Sequence, residues 1–279
     1  MVNIKKYINR NIIKFLLKYI GYCFLDFLLF LLILFKKRKN KNKFKIITVA
    51  DSNFFAALTN LLDSIKFYEP SLDVVIYDIG LEEEDKKYLN KKYNYKLKNF
   101  QFKKYPSFIN SYDSDGKLGS YAWKALIIQD EYFNDNKNII YLDAGCELRK
   151  NLRLLKFVLL RNGLFSPSSS DDVKRWTHPT TLNRMNVSPK LLSKRNFSAA
   201  SIGLVTNNDT ISNIVSKWAK FSQDKDTISP KGSSRLNHRQ DQAILNILIH
   251  QNLNSFMIFR TQKIFGILTH SNKDVGLFK

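Results

Sequence analysis

Apolar runs and segments with helical periodicity alternate along the middle of the chain. The runs "FKIITVA" and "DVVIYDIGL" predict buried strands over 44–50 and 73–81. Residues 51–68 follow the first run with apolar positions at helical spacing, and residues 82–93 follow the second with acids first and lysines later. This alternation is typical of an α/β domain with a mostly parallel central sheet.

The same pattern continues toward the C-terminus with one interruption. We predict a third strand over 95–102 and a helix over 120–133, which leads into the strand "IIYLD". A short strand, two helices and strand-like runs are predicted after residue 196. Between 163 and 189, "SPSSSDD", "THPTT" and "VSP" predict a long loop.

Residues 19–35, "YIGYCFLDFLLFLLILF", are strongly apolar and carry one charged side chain, Asp26. As a helix, this run spans roughly 26 Å, slightly less than a bilayer core. It lacks the small-residue cleavage site of a signal peptide, and a buried core helix is the alternative. We predict that residues 1–43 anchor the chain to a membrane and that residues 44–279 form one domain.

Charge is concentrated beside this apolar run. The chain has a formal net charge of +21, and residues 1–45, with 12 Lys or Arg and one acid, carry +11 of it. This concentration predicts an anionic lipid surface as a partner. The denser basic cluster follows the run, which favours a cytoplasmic domain, although basic residues before the run oppose that orientation. Asp26 favours a shallow or re-entrant insertion over a clean span.

Two predicted strands end in an aspartate. Asp51 follows the first strand and Asp143 follows "IIYL". Because parallel strands end at one edge of the sheet, where α/β sheets bind ligands, both carboxylates are candidates for a site there. The alternative for Asp143 is a turn or a helix cap, since Asp-Ala-Gly suits a turn.

Four segments together resemble a known family. In order and spacing, "FKIITVADSNFFAALTNLLDSIKFYEP", "SYAWKALIIQDEY", "IIYLDAGCEL" and "HRQDQAILNIL" are similar to GT-A-type glycosyltransferases. They are most similar to the group around glycogenin and the bacterial family 8 galactosyltransferases. The resemblance covers roughly residues 44–270. It implies an α/β fold, namely a single GT-A-like domain, that binds a nucleotide-sugar donor.

The resemblance also implies roles for particular positions. The nucleotide-contacting loop of the family corresponds to Ala50, Asp51, Ser52 and Asn53, and Lys124 lies in the helix that faces the nucleotide-sugar. Asp143 matches the first acid of the Asp-x-Asp motif, which holds a divalent cation, manganese or magnesium, on the diphosphate. Asp241 and Gln242 match a late acid/amide pair that contacts donor or acceptor. Asp143 and Asp241 are the expected catalytic residues.

The match to the metal motif is incomplete. Gly145 occupies the third position of Asp-x-Asp, and Glu147 lies about 13 Å from Asp143 if the strand is extended, too far to share one cation. His270 lies near the family's metal-binding histidine, but the spacing to the next glycine is wider. If no cation binds, Lys124 and Arg239 are the candidates to stabilise the leaving diphosphate.

The sequence therefore predicts a glycosyltransferase, most simply a hexosyltransferase. It would move a sugar from a nucleotide-diphosphate donor to a membrane-proximal glycan or lipid-linked acceptor. A catalytically inactive GT-A-like binding module is one alternative. A nucleic-acid-binding protein is another, suggested by the sequence pI of 9.8, but the basic residues after position 45 are mixed with acids and no binding motif is present, so we expect no nucleic-acid partner.

Overall fold

The fold is built around one six-stranded sheet. The computed structural model describes residues 2–35 (backbone only up to residue 15), 43–253, 259 and 263–269. The strands of the sheet are β1 (Phe44–Ala50), β2 (Asp73–Asp78), β3 (Lys96–Asn99), β4 (Asn138–Leu142), β6 (Leu164–Phe165) and β9 (Ser201–Leu204). They lie side by side in the order β3-β2-β1-β4-β9-β6. The first four are parallel to one another and β9 is antiparallel to β4, so the predicted mostly parallel sheet is confirmed.

Helices cover the sheet and the shorter strands lie at its margins. The helices are α1 (Val2–Leu34), α2 (Phe55–Tyr68), α3 (Glu83–Lys92), α4 (Ala122–Asn134), α5 (Arg153–Asn162), α6 (Pro179–Arg184), α7 (Asp209–Ser222), α8 (Lys225–Ile228) and α9 (Gln240–Asn252). Two small sheets pair β5 (Glu147–Leu148) with β10 (Ile267–Leu268) and β7 (Ser168–Asp172) with β8 (Arg195–Phe197). Every residue of β1 is buried, as expected for a central strand.

Three sequence predictions of element boundaries are wrong, and one of them is the third strand, which covers Lys96–Asn99 rather than residues 95–102. The interval 163–189 is not a continuous loop, because it contains β6, β7 and α6. β7 has the sequence "SSSDD", so neither apolar residues nor alternation marks it, and its pairing with β8 defines it. β2 ends at Asp78 rather than at residue 81, because the Asp78 carboxylate accepts hydrogen bonds from the Gly80 and Leu81 amides at 2.7 Å.

Helix α1 packs one stripe of side chains on the domain. Asp26 and Ile33 are buried, and the Phe30 ring lies 5.6 Å from the Phe157 ring of α5. The other faces expose large apolar side chains: Leu16, Leu17, Tyr19, Ile20, Phe24, Leu25, Phe27, Leu28, Leu31, Leu32, Leu34 and Phe35. The stretch Leu16–Leu34 is long and apolar enough to cross a membrane. A signal sequence near the N-terminus would have the same length and composition. The division of the chain at residue 43 stays a prediction.

A buried ion pair joins the central strands to α4 at the edge of the sheet where β1 begins. Lys45 donates to a Glu131 carboxylate oxygen at 2.7 Å, and both side chains are 2% exposed. Glu131 also accepts hydrogen bonds from Tyr77 and Lys98. Burial raises the pKa of Glu131, but the hydrogen bonds from Lys45 and Lys98 outweigh it, and the pKa lies below its ordinary value.

We expect Glu131→Gln to destabilise the fold by roughly 3 kcal/mol, because it leaves the buried Lys45 ammonium with only the half-exposed Asp135 as a counter-charge. The loss is measured by urea unfolding of the detergent-solubilised chain at neutral pH. Asp73→Asn is the matched control, since the Lys137–Asp73 pair is exposed and contributes about 1 kcal/mol or less. Equal losses in the two variants would contradict this account of the network.

Candidate active site

Three charged side chains from distant parts of the sequence meet at the carboxyl end of β4. The Lys124 ammonium lies 3.1 Å from an Asp143 carboxylate oxygen and 3.4 Å from Asp241 Oδ2. Lys124 and Asp241 are almost completely buried, whereas the Asp143 side chain is 36% exposed. Asp143 is therefore the member of the cluster that a ligand can reach.

Asp143 is positioned by the strand that precedes it. Its amide donates to the Ala200 carbonyl oxygen at 2.8 Å, which extends the pairing of β4 with β9, and its own carbonyl accepts from the Cys146 amide in a turn. The Tyr141 hydroxyl donates to Asp143 Oδ1 at 2.8 Å. Tyr141 and Lys124 both contact Oδ1, and among the described residues no hydrogen bond is made to the other carboxylate oxygen, Oδ2.

Lys124 lies in the first turn of α4, and the backbone that leads into this helix is unusual. Gly119, Ser120 and Tyr121 have φ values of +54°, +48° and +64°. A Cβ atom at Gly119 would come within 2.4 Å of the Ile109 carbonyl oxygen, so only glycine fits there. Left-handed conformations at non-glycine residues cost on the order of 1–3 kcal/mol each and are concentrated at functional sites.

Asp241 lies in the first turn of α9, as Lys124 lies in the first turn of α4. Gln240, directly before it, has a φ of +41°. The Trp218 indole of α7 donates to the Asp241 carbonyl oxygen at 2.9 Å, which fixes the first turn of the helix. Both helices that carry the buried members of the cluster therefore begin with strained backbone.

The charges of the cluster perturb one another strongly. Burial raises the pKa of Asp241 to about 6, with a further increase from Asp143 and an opposing effect of Lys124. Burial alone would lower the pKa of Lys124, but the two carboxylates outweigh it and raise that pKa. Burial and the adjacent Asp143 charge raise the pKa of Tyr141 well above its ordinary value. The formal charges of one lysine and two aspartates sum to one negative charge.

A second, basic group of residues borders this cluster. The Arg239 guanidinium lies 4.0 Å and the Arg175 guanidinium 4.7 Å from the centroid of the Trp176 ring. Burial and the positive charges of Arg235 and Arg175 lower the pKa of Arg239. Arg235 is fixed through its amide, which donates to an Asp115 carboxylate oxygen at 2.8 Å. We call Arg175, Arg235 and Arg239 the arginine cluster.

Tyr121 lies beside Lys124, whose ammonium is 5.6 Å from the centroid of the tyrosine ring. Burial raises the pKa of Tyr121, and the charges that act on it are those of Lys124 and Arg235, which oppose the increase, and of Asp241 and Asp143, which add to it. Sequence reasoning did not find Tyr121 or Arg235. Both residues reach the site through the tertiary fold, and no motif or spacing in the sequence predicts that position.

The predicted nucleotide loop lies at the same edge of the sheet. Ala50 ends β1 and is buried, and the Asp51 carboxylate caps the following turn by accepting from the Phe54 amide at 3.2 Å. The Ser52 amide donates to the Gly80 carbonyl oxygen at 3.1 Å, and the Ser52 hydroxyl bonds Asp85 of α3. Asn53 is exposed. The structure holds this loop against the β2–α3 turn and shows no direct contact between Asp51 and Asp143.

The remaining predicted site residues are placed as follows. Gln242 follows Asp241 on α9 and is half-buried. Glu147 lies on β5, where it pairs with Arg149 at 3.1 Å. His270 lies outside the described residues. Its predicted role as a metal ligand stays a prediction.

The described residues do not by themselves fit a divalent cation. Asp143 and Asp241 share Lys124, Gly145 offers no side chain, and Glu147 is paired with Arg149. In the described part of the chain, no group of three or more His, Cys, Asp or Glu side chains is placed to hold a metal ion. The predicted manganese or magnesium stays a prediction.

Comparisons with known proteins bear on the fold. Residues 26–129 match the family described as "Protein of unknown function (DUF1647)", and no curated protein matches. The structure is similar to that of WbbM, a bifunctional glycosyltransferase, with a TM-score of 0.50 and 13% identity over 75% of this chain and 38% of WbbM. The chain has the GT-A glycosyltransferase fold.

Two further solved structures resemble the GT-A domain less closely. The galactosyltransferase LgtC, in complex with donor and acceptor sugar analogs, aligns with a TM-score of 0.46 and 21% identity over 73% of this chain and 70% of that one. Mouse xyloside xylosyltransferase 1 aligns with a TM-score of 0.45 and 15% identity over 77% and 84%. At these identities the likeness concerns the fold alone.

The raised pKa of Asp241 predicts a pH dependence of stability. Folded Asp241 binds its proton more tightly than the unfolded chain does, so its contribution to stability grows as the pH falls from 7 toward 5, by about 1 kcal/mol. Asp241→Asn removes this contribution, whereas Glu84→Gln, an exposed carboxylate on α3, does not. Urea unfolding at pH 7 and pH 5 measures the difference. A wild-type pH dependence retained in Asp241→Asn would show that Asp241 titrates normally.

Proposed function

We propose that this protein is a glycosyltransferase that uses a nucleotide-diphosphate sugar, with Asp143 and Asp241 as its catalytic carboxylates: Asp143 would contact the donor, and the buried Asp241 would add its charge from behind it. The observation that carries the proposal is the cluster at the carboxyl edge of the GT-A sheet. There, a buried lysine holds two carboxylates together and leaves one of them reachable. Ligands of open α/β sheets bind at this edge.

The two groups of charge suit the two ends of the bond that breaks. As a glycosidic bond to a diphosphate breaks, positive charge develops on the sugar and negative charge on the leaving group. The lysine–aspartate cluster carries about one net negative charge and would stabilise the sugar. The arginine cluster carries three positive charges, has no carboxylate within ion-pair distance in the described part of the chain, and would stabilise the diphosphate.

The other predicted site residues fit around this arrangement. Residues 50–53 would contact the nucleotide, and Gln242 would contact the donor sugar or the acceptor. Lys124 is a positioning residue in this proposal, because its buried ammonium group contacts both carboxylates and holds them in place. A hexose is the transferred sugar that we propose.

We propose a membrane-proximal glycan or glycolipid as the acceptor and a cytoplasmic location for the domain. The support is the exposed apolar face of α1, together with the basic residues that follow it in the sequence. Asp26 lies on the stripe that faces the domain, so its burial does not oppose contact between the opposite face and lipid.

A catalytically inactive binding module is the second candidate. It is favoured by Gly145 at the third position of the acidic motif and by the incomplete set of metal ligands. Release of the nucleotide diphosphate from UDP- or GDP-sugars separates the two, since a binding module would bind the donor without hydrolysing or transferring it.

We expect Asp143→Asn to reduce transfer at least about 100-fold, because the substitution preserves shape and removes the reachable negative charge. Stability should change little, since Asp143 is 36% exposed and Asp241 still pairs with Lys124. Asp209→Asn, an exposed aspartate at the start of α7, is the control and should keep full activity. An Asp143→Asn protein with wild-type turnover would refute the catalytic assignment.

Membrane association gives a separate prediction. The full chain should sediment with membranes, because the exposed face of α1 is apolar over several turns. A chain that begins at Lys43 should stay in the supernatant without detergent. Ultracentrifugation of cell lysates compares the two. A freely soluble full chain would show that α1 is no anchor, and cleavage of the domain by protease added outside intact cells would exclude the cytoplasmic orientation.

A further inference from the structure

A basic cavity lies at the edge of the sheet opposite the candidate active site. It has a volume of about 880 Å³, within the usual range for small-molecule sites. Its charged lining consists of five basic residues and one acidic residue: Lys43, Lys137, Arg153, Lys156, Arg161 and Asp73. Two lining residues, Phe44 and Asp73, are the first residues of β1 and β2. Asp143 follows the last residue of the parallel strand β4, so the two sites lie at opposite edges of the sheet.

Only part of the basic charge in this cavity is neutralised by the protein. Lys137 pairs with Asp73 at 2.5 Å, and Lys156 pairs with Glu69 at 2.5 Å. In the described part of the chain, no carboxylate lies within 4.0 Å of the side-chain nitrogens of the other three basic residues, Lys43, Arg153 and Arg161. The cavity therefore has a positive charge that an anionic ligand would balance.

Arg161 carries a further sign of a missing partner. Its guanidinium lies 3.7 Å from the centroid of the Phe157 ring, and one terminal nitrogen donates to the Phe157 carbonyl oxygen at 3.5 Å. Its Nε atom is buried and has no hydrogen-bond partner in the described part of the chain. Buried N–H groups without a partner are unusual, so the Arg161 guanidinium is incompletely hydrogen-bonded by the described residues.

The position of the cavity relates it to the apolar helix. Phe157 lines the cavity and also contacts Phe30 of α1. Lys43 lines it too, and lies nine residues after the end of α1. The cavity therefore lies beside the part of α5 on which α1 packs.

We propose that the cavity binds the phosphate headgroup of an anionic phospholipid. Arginine and lysine side chains without acidic partners supply the charge and the N–H donors that a phosphate monoester or diester requires. Helix α1 favours a lipid over a free phosphate, because it contacts the cavity-lining Phe157 through Phe30 and exposes apolar side chains on its other faces, which only a lipid could also cover. The proposal rests on the proposed membrane association and is independent of glycosyl transfer.

The test uses the full chain in a neutral detergent and short-chain lipids. Dioctanoyl phosphatidic acid, dioctanoyl phosphatidylcholine and inorganic phosphate are titrated separately, and apparent affinity is obtained from the rise in melting temperature. We expect phosphatidic acid to raise the melting temperature and the other two to leave it nearly unchanged. The variant Lys43→Gln/Arg153→Gln should bind phosphatidic acid at least five-fold more weakly, and both side chains are exposed, so the fold should tolerate the change.

The matched control is Lys190→Gln/Lys217→Gln, which removes the same formal charge from exposed positions away from the cavity. It should bind like the wild type. The proposal would be overturned if the cavity variant bound phosphatidic acid as tightly as the wild type, or if the control variant lost as much affinity as the cavity variant. It would also be overturned if phosphatidylcholine raised the melting temperature as much as phosphatidic acid. A response to inorganic phosphate as strong as to the lipid would assign the cavity to a free anion instead. Nucleotide-sugar turnover is measured in the same preparations. It tests the proposed transferase activity independently of lipid binding.

Discussion

The interaction on which the candidate site depends is the contact of one buried ammonium group with two carboxylates. Without Lys124, Asp241 would be a buried carboxylate close to a second negative charge, and its pKa, already raised to about 6, would rise further. Such a group would become neutral at physiological pH. Lys124 therefore favours the ionised form of Asp241 while its own charge stays buried. The proposed chemistry needs that net negative charge beside the sugar.

The surrounding structure gives this contact its geometry at a cost in backbone energy. The residues that lead into α4 and the residue directly before Asp241 adopt left-handed conformations, and the close approach of the chain at Gly119 permits no side chain. The Asp115 carboxylate connects the loop that precedes α4 to the backbone of Arg235, which joins the arginine cluster to the same framework. A site held in this way is preorganised, which is the condition for electrostatic stabilisation of a transition state.

Periodicity in the sequence was sufficient to predict the strands of the main sheet and the helices that cover it, because these elements bury continuous or helically spaced apolar residues. It failed for β7, whose polar residues are in a strand only because β8 pairs with them. Asp143 could be placed at a sheet edge from the sequence, because it directly follows a buried strand. Its contact with Lys124, and the positions of Tyr121 and Arg235, could not, because they depend on how α4 and α9 approach each other.

The central claim is that the cluster organised by Lys124 binds a nucleotide-diphosphate sugar. The most direct measurement is calorimetric titration of UDP- and GDP-sugars into the wild-type chain and into Lys124→Met, in buffer that contains manganese. Far-UV circular dichroism verifies that both are folded. The account predicts that at least one donor binds the wild type and binds Lys124→Met at least ten-fold more weakly. Equal affinity in the two proteins, or no binding of any donor to the wild type, would contradict it.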